Sequence, residues 1–227
     1  LSHKTDNLRL AIVLLGFAEV RKIALKNYVS QTVGGKESKE YDTKQLWEHS
    51  YLVSTCAEIF STEDDQLNRG TLMTLGLMHD VSKFALYNLA IMLKEKGISP
   101  QGIQKLSESS YLLEKEEKLF EVNHTIVGGL LAKKWNLSER FISVLECHHY
   151  PSFFDMSEVP QEYVKEIAAI SISDYLVNVY SETLNILPMP APGFFEIIGL
   201  KPSPDDILSP EVVAKLDKAK NFMGFVE

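Results

Sequence analysis

The chain has 227 residues, 45% of them hydrophobic and 24% charged, which is ordinary for a globular protein that can bury a substantial core. Its formal net charge of −8 at pH 7 argues against a binder of nucleic-acid polymers or anionic membranes, because such proteins neutralise phosphates with a basic surface. No apolar run of the sequence reaches the length of a membrane span, so we expect no membrane partner.

The first part of the chain is patterned as helix. Apolar residues recur near helical spacing over residues 8–28, and the glycines at 34–35 in a polar stretch predict a loop after them. A long helix over residues 46–60 follows, with His49 on the same face as apolar residues. This spacing predicts that His49 points inward.

The helical pattern continues through the middle of the chain. One helix is predicted through residues 72–79, and the next runs from Lys83 toward Gly97, a natural stop. The charged stretch over residues 113–118 favours a solvated helix face over a binding patch.

Two further helices should carry histidine at their ends, and a third should be central. His124 begins a helix with an apolar side, and His148 follows another one. Residues 167–179 are almost wholly apolar apart from serines and Asp174. A carboxylate in such surroundings is costly to bury alone, so Asp174 should be paired or bound to metal.

The C-terminal part ends in one more helix. Three prolines predict a stiff, non-helical connection: Pro188, Pro190 and Pro192. The last helix should begin at residues 209–211. Without repeats or alternating strand patterns, the sequence predicts an all-α fold. We expect a single domain over residues 1–227, with residues 188–227 packing on it.

The cysteines and the first residue bear on the cellular context. Cys56 and Cys147 lie far apart and form no CxxC motif, which favours two buried thiols in a reducing cytosol. We therefore expect a cytoplasmic location. The sequence begins without methionine or a signal-peptide pattern, so we expect a fragment of a longer protein.

Histidines and carboxylates recur in an ordered series that is typical of a metal centre. Imidazole and carboxylate are the ligands that borderline and hard divalent metals take. Each member taken singly has a structural alternative, such as a hydrogen-bonded core histidine or a helix end. Together they predict one polar cavity. The candidate ligands are His49, His79, Asp80, His124, His148, His149 and Asp174.

The spacing allows a division into two ion sites. Adjacent residues of a helix differ by about a third of a turn, so His79 and Asp80 reach one ion best at a helix end. The first ion would be held by His49, His79, Asp80 and Asp174. The second would be held by His124, His148 and His149, with Asp80 bridging.

Two divalent ions roughly 3.5–4 Å apart polarise a phosphoryl oxygen and generate a hydroxide nucleophile. Lys83 lies about one helical turn beyond His79-Asp80 and would present its ammonium to a phosphate oxygen. The predicted catalytic residues are therefore Asp80 and Lys83. Taken alone, Lys83 is better explained as a solvated lysine.

The order of these motifs resembles the HD superfamily of metal-dependent phosphohydrolases. The extra histidines His124 and His148-His149 are similar to those of its HD-GYP phosphodiesterases, but no Glu follows His149 and no Gly-Tyr-Pro loop appears. The surrounding sequence resembles the HDOD domain of bacterial signalling proteins. The stretches that carry this resemblance are residues 10–16, 46–50, 76–80, 123–128, 134–137 and 148–151.

The resemblance implies a helical HD-type domain with the metal site in its core. Its cofactor would be one or two divalent ions of Fe, Mn, Mg, Ni or Zn, and its substrate a small phosphate ester or nucleotide. HDOD domains are generally regarded as output or scaffolding modules, so a non-catalytic regulatory module with a signalling protein partner is the alternative. A haem- or zinc-binding sensor that uses the same histidines is a third hypothesis.

Overall fold

The structure is a computed structural model of the chain and describes residues 43–61, 67–97, 112–149, 156–182 and 188–225. None of these residues lies in a strand, so the predicted all-α fold is confirmed. The patterns over residues 8–28 and 34–35 lie outside the described residues. The helices of the described part are α1 (Thr43–Ala57), α2 (Arg69–Met78), α3 (Val81–Glu95), α4 (Leu112–Phe120), α5 (His124–Lys134), α6 (Glu139–Cys147), α7 (Val164–Tyr180), α8 (Pro192–Ile197), α9 (Pro204–Ile207) and α10 (Pro210–Phe225).

Short polar side chains and a glycine set several helix ends. The Asn68 side chain accepts a hydrogen bond from the Thr71 amide at the start of α2. Asn123 accepts from the amides of residues 125 and 126 at the start of α5. Each contact satisfies an amide that has no partner within its helix. Gly97, with a φ of +74°, follows α3 and confirms the predicted stop.

The prediction of a non-helical connection at the three prolines is wrong in part. Residues 188–191 are not helical, but Pro192 is the first residue of α8. A proline is tolerated there because its missing N–H would have no partner in the first turn. The predicted last helix is confirmed and begins at Pro210.

The central position predicted for the apolar helix is confirmed. In α7, residues 167–173 are buried, as are Asp174 and Leu176. Helix α1 packs against α2, α7 and α10, and α5 packs against α3 and α6. Helix α7 therefore forms one wall of the core beside α1.

A close approach of two helix backbones fixes α1 against α2. A Cβ atom on Gly76 would lie 2.8 Å from the Cα of Ser54, a distance that real Cβ contacts do not show. The Ser54 hydroxyl donates to the Met73 carbonyl oxygen at 2.7 Å. Because glycine leaves this space open, α1 can bring His49 next to the end of α2.

Residues after the central helix share its core. Phe194, Phe195 and Leu216 are fully buried in the same apolar cluster as α1 and α7. The Tyr180 hydroxyl donates to Asp217 at 2.6 Å. Within the described ranges, no helix combines the length and apolar character that a membrane span requires.

The two cysteines are confirmed as buried thiols. Both are free and buried. Burial raises the pKa of Cys56 to about 12, because a thiolate is poorly solvated in an apolar interior.

Candidate metal centre

The seven predicted ligands converge from separate parts of the fold. They form two adjoining groups, within each of which one ligand atom per residue lies within 4.8 Å of the others. The Asp80 cluster comprises Asp80, His124, His148 and His149, all buried. The His49 cluster comprises His49, His79 and Asp174, of which His49 is 21% exposed.

A break between two helices lets adjacent residues face the same centre. Helix α2 ends at Met78 and α3 begins at Val81, while the φ and ψ of Asp80 are −101° and 12°. A helix end was predicted here as the place where these two neighbours reach one ion best. The break turns both His79 and Asp80 into the buried centre.

The two oxygens of Asp80 face the two clusters. Oδ1 lies 3.3 Å from Nε2 of His124 and 3.8 Å from Nε2 of His148. Oδ2 lies 3.3 Å from Nε2 of His79 and 3.9 Å from Nε2 of His49. Asp80 therefore has the position of a bridging carboxylate.

Asp174 also lies between the clusters. Its Oδ1 is 2.9 Å from Nε2 of His49, and its Oδ2 is 3.8 Å from Nδ1 of His149. Asn178, one turn further along α7, donates to Oδ1 at 3.0 Å. Asn178 was not predicted from the sequence, although a second polar residue four positions after Asp174 in an apolar helix was a signal for it.

Backbone carbonyls orient two of the imidazoles. Nδ1 of His79 lies 2.8 Å from the Gly76 carbonyl oxygen, and Nδ1 of His148 lies 3.1 Å from that of Leu145. Because a carbonyl oxygen only accepts, Nδ1 carries the hydrogen in both rings. Nε2 of each ring then faces the centre, as in metal-ligating histidines.

A carboxylate orients a third imidazole. Oε2 of Glu116 accepts from both the backbone N–H and the Nδ1–H of His124, each at 2.7 Å. The prediction that residues 113–118 form a solvated face is wrong for Glu116, which is buried. Its register was the missed signal, because Glu116 lies three residues from both Leu113 and Leu119 and shares their apolar face.

The donor atoms fit a divalent cation. Nε2 of His79, Nε2 of His148 and Oδ1 of Asp80 are buried and make no hydrogen bond, an arrangement that is costly without a cation partner. Nε2 of His124 lies 3.1 Å from Nε2 of His149. Two nitrogens that bind the same ion, each at about 2.0–2.1 Å, come about this close to each other.

The electrostatics of the centre favour an ionised Asp80 and neutral His148 and His149. Burial alone would lower the pKa of His79, but the neighbouring carboxylate of Asp80 raises it above its usual value. Burial alone would raise the pKa of Asp80, but His79 and Lys83 hold it well below its usual range. Burial lowers the pKa of His148 to about 4 and also lowers that of His149. Both rings are thus neutral at pH 7, the form in which imidazole binds metal.

Lys83 is buried and paired rather than solvated. Its Nζ donates to Oδ2 of Asp80 at 2.5 Å. Burial opposes its charge, but Asp80 and Asp174 raise the pKa of Lys83 above its usual value. The ammonium therefore carries its charge beside the carboxylate of Asp80.

A family model and solved structures resemble this chain. The model of the HDOD domain matches residues 1–151. An HDOD domain protein from Geobacter sulfurreducens has a TM-score of 0.65 and 20% identity, covering 98% of this chain and 75% of its own. For a candidate phosphohydrolase from Shewanella amazonensis SB2B the TM-score is 0.63 and the identity 15%, over 97% of this chain and 77% of the other.

Two other relatives are considerably longer than this chain. A candidate signal transduction protein from Marinobacter aquaeolei VT8 matches with a TM-score of 0.61 and 14% identity, over 93% of this chain and 45% of its own. An uncharacterized protein from Treponema pallidum (strain Nichols) is 22% identical over 165 residues, which are 68% of this chain. The matched part spans 29% of that relative's length.

Proposed function

The chain belongs to the HDOD domain family, and we propose that it is a signalling domain that also hydrolyses a phosphate ester or nucleotide with one or two divalent ions. One observation carries this proposal. The carboxylate of Asp80 directs one oxygen to each of two adjoining His/Asp clusters, and Oδ1 is buried without a hydrogen-bond partner.

The clusters assign the ligands of each ion. His124, His148 and His149 would hold one ion together with Oδ1 of Asp80. The other ion would be held by Oδ2 of Asp80 and by His49, His79 and Asp174. Divalent ions in such a pair supply Lewis-acid polarisation of a phosphoryl oxygen and lower the pKa of water.

The chain's own residues position the substrate and stabilise its charge. The Lys83 ammonium contacts Asp80 and would donate to a phosphoryl oxygen, offsetting negative charge that develops during hydrolysis. Among the proposed ligands only His49 is partly exposed, so the ester would approach from the side of His49. The buried residues Asp174 and Asn178 would hold the side chains on that side in fixed positions.

Metal content and turnover test the proposal together. We expect protein expressed with supplementary Mn²⁺ and Fe²⁺ to contain about one or two equivalents of metal by elemental analysis. It should hydrolyse bis-p-nitrophenyl phosphate, p-nitrophenyl phosphate or a member of a nucleotide panel. Asp80→Asn should lose both properties, and Asp205→Asn, at an exposed carboxylate, should lose neither. Folded wild-type protein without metal or turnover would contradict the proposal.

A second candidate function is a non-catalytic regulatory module that recruits a signalling protein. It is favoured by two apolar side chains one turn apart on α5, Ile126 and Leu130, which are 49% and 59% exposed. In this alternative the buried centre is structural. Turnover that depends on Asp80 would exclude a purely scaffolding role.

We also propose that the chain folds as one domain over residues 1–227. The support is that Leu216 of α10 and Phe194 of α8 share a core with α1. Asp174, which comes after the matched residues 1–151, is needed to complete the His49 cluster. Removing residues 188–227 should therefore expose core residues and abolish cooperative unfolding in a thermal melt.

A further inference from the structure

His124 is held at three of its polar atoms by residues outside the two clusters. Its backbone N–H and its Nδ1–H both donate to Oε2 of Glu116. Its carbonyl oxygen accepts from the hydroxyl of Ser82. The ring therefore has little freedom, and Nε2 lies 3.3 Å from Oδ1 of Asp80.

The contact from Glu116 differs from those that hold the other rings. His79 and His148 direct Nδ1 at neutral carbonyl oxygens, whereas His124 directs it at a carboxylate. A carboxylate that accepts from Nδ1–H fixes the tautomer and makes the opposite nitrogen a stronger ligand. The side chain of Glu116 is 2% exposed, so water does not weaken this hydrogen bond.

We infer that Glu116 is a positioning residue that fixes His124 as the Nδ1–H tautomer, directs its Nε2 lone pair at the Asp80 cluster and so strengthens cation binding there. The inference rests on the proposed function, which it deepens. Without Glu116, a hydrogen on Nε2 of His124 could instead donate to Oδ1 of Asp80. The ring would then offer a hydrogen where the cluster needs a lone pair.

Histidine-detected NMR of the metal-free protein tests the tautomer. In ¹⁵N-labelled protein, long-range ¹H–¹⁵N spectra distinguish Nδ1–H from Nε2–H for each ring. We expect Glu116→Ala to move His124 toward the Nε2–H form. His79 and His148 serve as internal references, because their Nδ1 atoms face backbone carbonyls and should not change.

Calorimetric titration with Mn²⁺ tests the affinity. Glu116→Ala should weaken one equivalent of binding by about 10–100-fold. Glu116→Gln should lose less Mn²⁺ affinity and keep His124 in the Nδ1–H tautomer, because the amide oxygen of glutamine can still accept the hydrogen bond. Glu114→Ala is the matched control on the same helix, since Glu114 is 62% exposed and pairs with Lys118, and it should change neither measurement.

The outcomes separate this inference from the proposed function. Wild-type protein that binds neither Mn²⁺ nor Fe²⁺ would contradict the proposed function. Wild-type binding that Glu116→Ala leaves unchanged, or an unchanged His124 tautomer in that variant, would overturn only the inference. If Glu116→Ala does not fold, Glu116→Gln decides the question: weaker Mn²⁺ binding supports the inference, and wild-type affinity overturns it.

Discussion

The Asp80 cluster and the His49 cluster use the same ligand types, but the protein holds them differently. In the Asp80 cluster every ligand is buried, and protein acceptors fix His124 and His148 through Nδ1. In the His49 cluster, His49 is 21% exposed and lies 2.9 Å from Asp174. His79 of the His49 cluster is held through Nδ1 in the same way, so the clusters differ at His49: one cluster is closed on all sides, whereas the other is open to solvent at this one ligand. We expect the Asp80 cluster to bind a divalent ion more tightly and the His49 cluster to exchange its ion and meet substrate.

Removing one ligand from each cluster is the strongest test of this difference. His148→Ala should weaken the tighter Mn²⁺ site by more than about 100-fold, because it deletes a ligand and not merely a group that orients one. Asp174→Ala should spare that site and remove the weaker one. Equilibrium dialysis against a series of Mn²⁺ concentrations resolves the two sites. If both variants lost the same Mn²⁺ affinity at both sites, the two clusters would bind metal as a single unit.

Lys83 offers a way to separate catalysis from metal binding. Its ammonium bonds to Oδ2 of Asp80, the oxygen that faces the His49 cluster. Lys83→Met should lower kcat by about 100-fold, the usual cost of one lost donor to a developing negative charge. The number of Mn²⁺ equivalents should not change. The control is Lys165→Met on α7, because Lys165 is exposed. An equal loss of kcat in this variant would contradict a role of Lys83 in the proposed chemistry.

A third test breaks the helix contact that supports the His49 cluster. Gly76→Ala would place a Cβ 2.8 Å from the Cα of Ser54, so α1 and α2 must move apart. Overpacking of this kind costs about 1–3 kcal/mol in the free energy of unfolding. Urea denaturation measures this cost. The Mn²⁺ affinity of the His49 cluster should fall more than that of the Asp80 cluster. Gly128→Ala is the milder comparison, because its nearest new contact is a side-chain atom, the hydroxyl oxygen of Ser82, at the longer distance of 3.3 Å. A larger cost at Gly128 would contradict this account.

Much of this centre could be predicted from the sequence, for a simple physical reason. A helical fold with buried His or Asp must compensate those groups, so polar residues at apolar positions identify the site. Asp174 in its apolar helix is the clearest example, and the break at His79-Asp80 followed from the pitch of a helix. The helices over residues 46–60 and 72–79 were predicted from the same periodicity.

What the sequence left unresolved depends on contacts between distant elements. Glu116 was misassigned because neighbouring charges suggested a solvated face, although its own register matched Leu113 and Leu119. Which oxygen of Asp80 faces which histidine is decided by side-chain rotamers and by the packing of α3 on α5. Pro192 was misread because proline ends a helix in its interior but is favoured in its first turn.

The prediction with the smallest expected effect tests why His49 is exposed. Either its side chain alone reaches solvent, or the whole helix α1 opens. Cys56 lies two turns further along α1, is fully buried, and has a pKa raised by burial to about 12. Alkylation needs the thiolate, so at pH 8 iodoacetamide should modify Cys56 at least about a thousand-fold more slowly than an ordinary cysteine of pKa near 9. The rate should rise with pH, because deprotonation of the thiol generates the thiolate nucleophile, and saturating Mn²⁺ should hardly change it. Rapid labelling that Mn²⁺ suppresses would mean that α1 itself opens. His49 would then be carried on a mobile helix, and the His49 cluster would not be a fixed site with one open side.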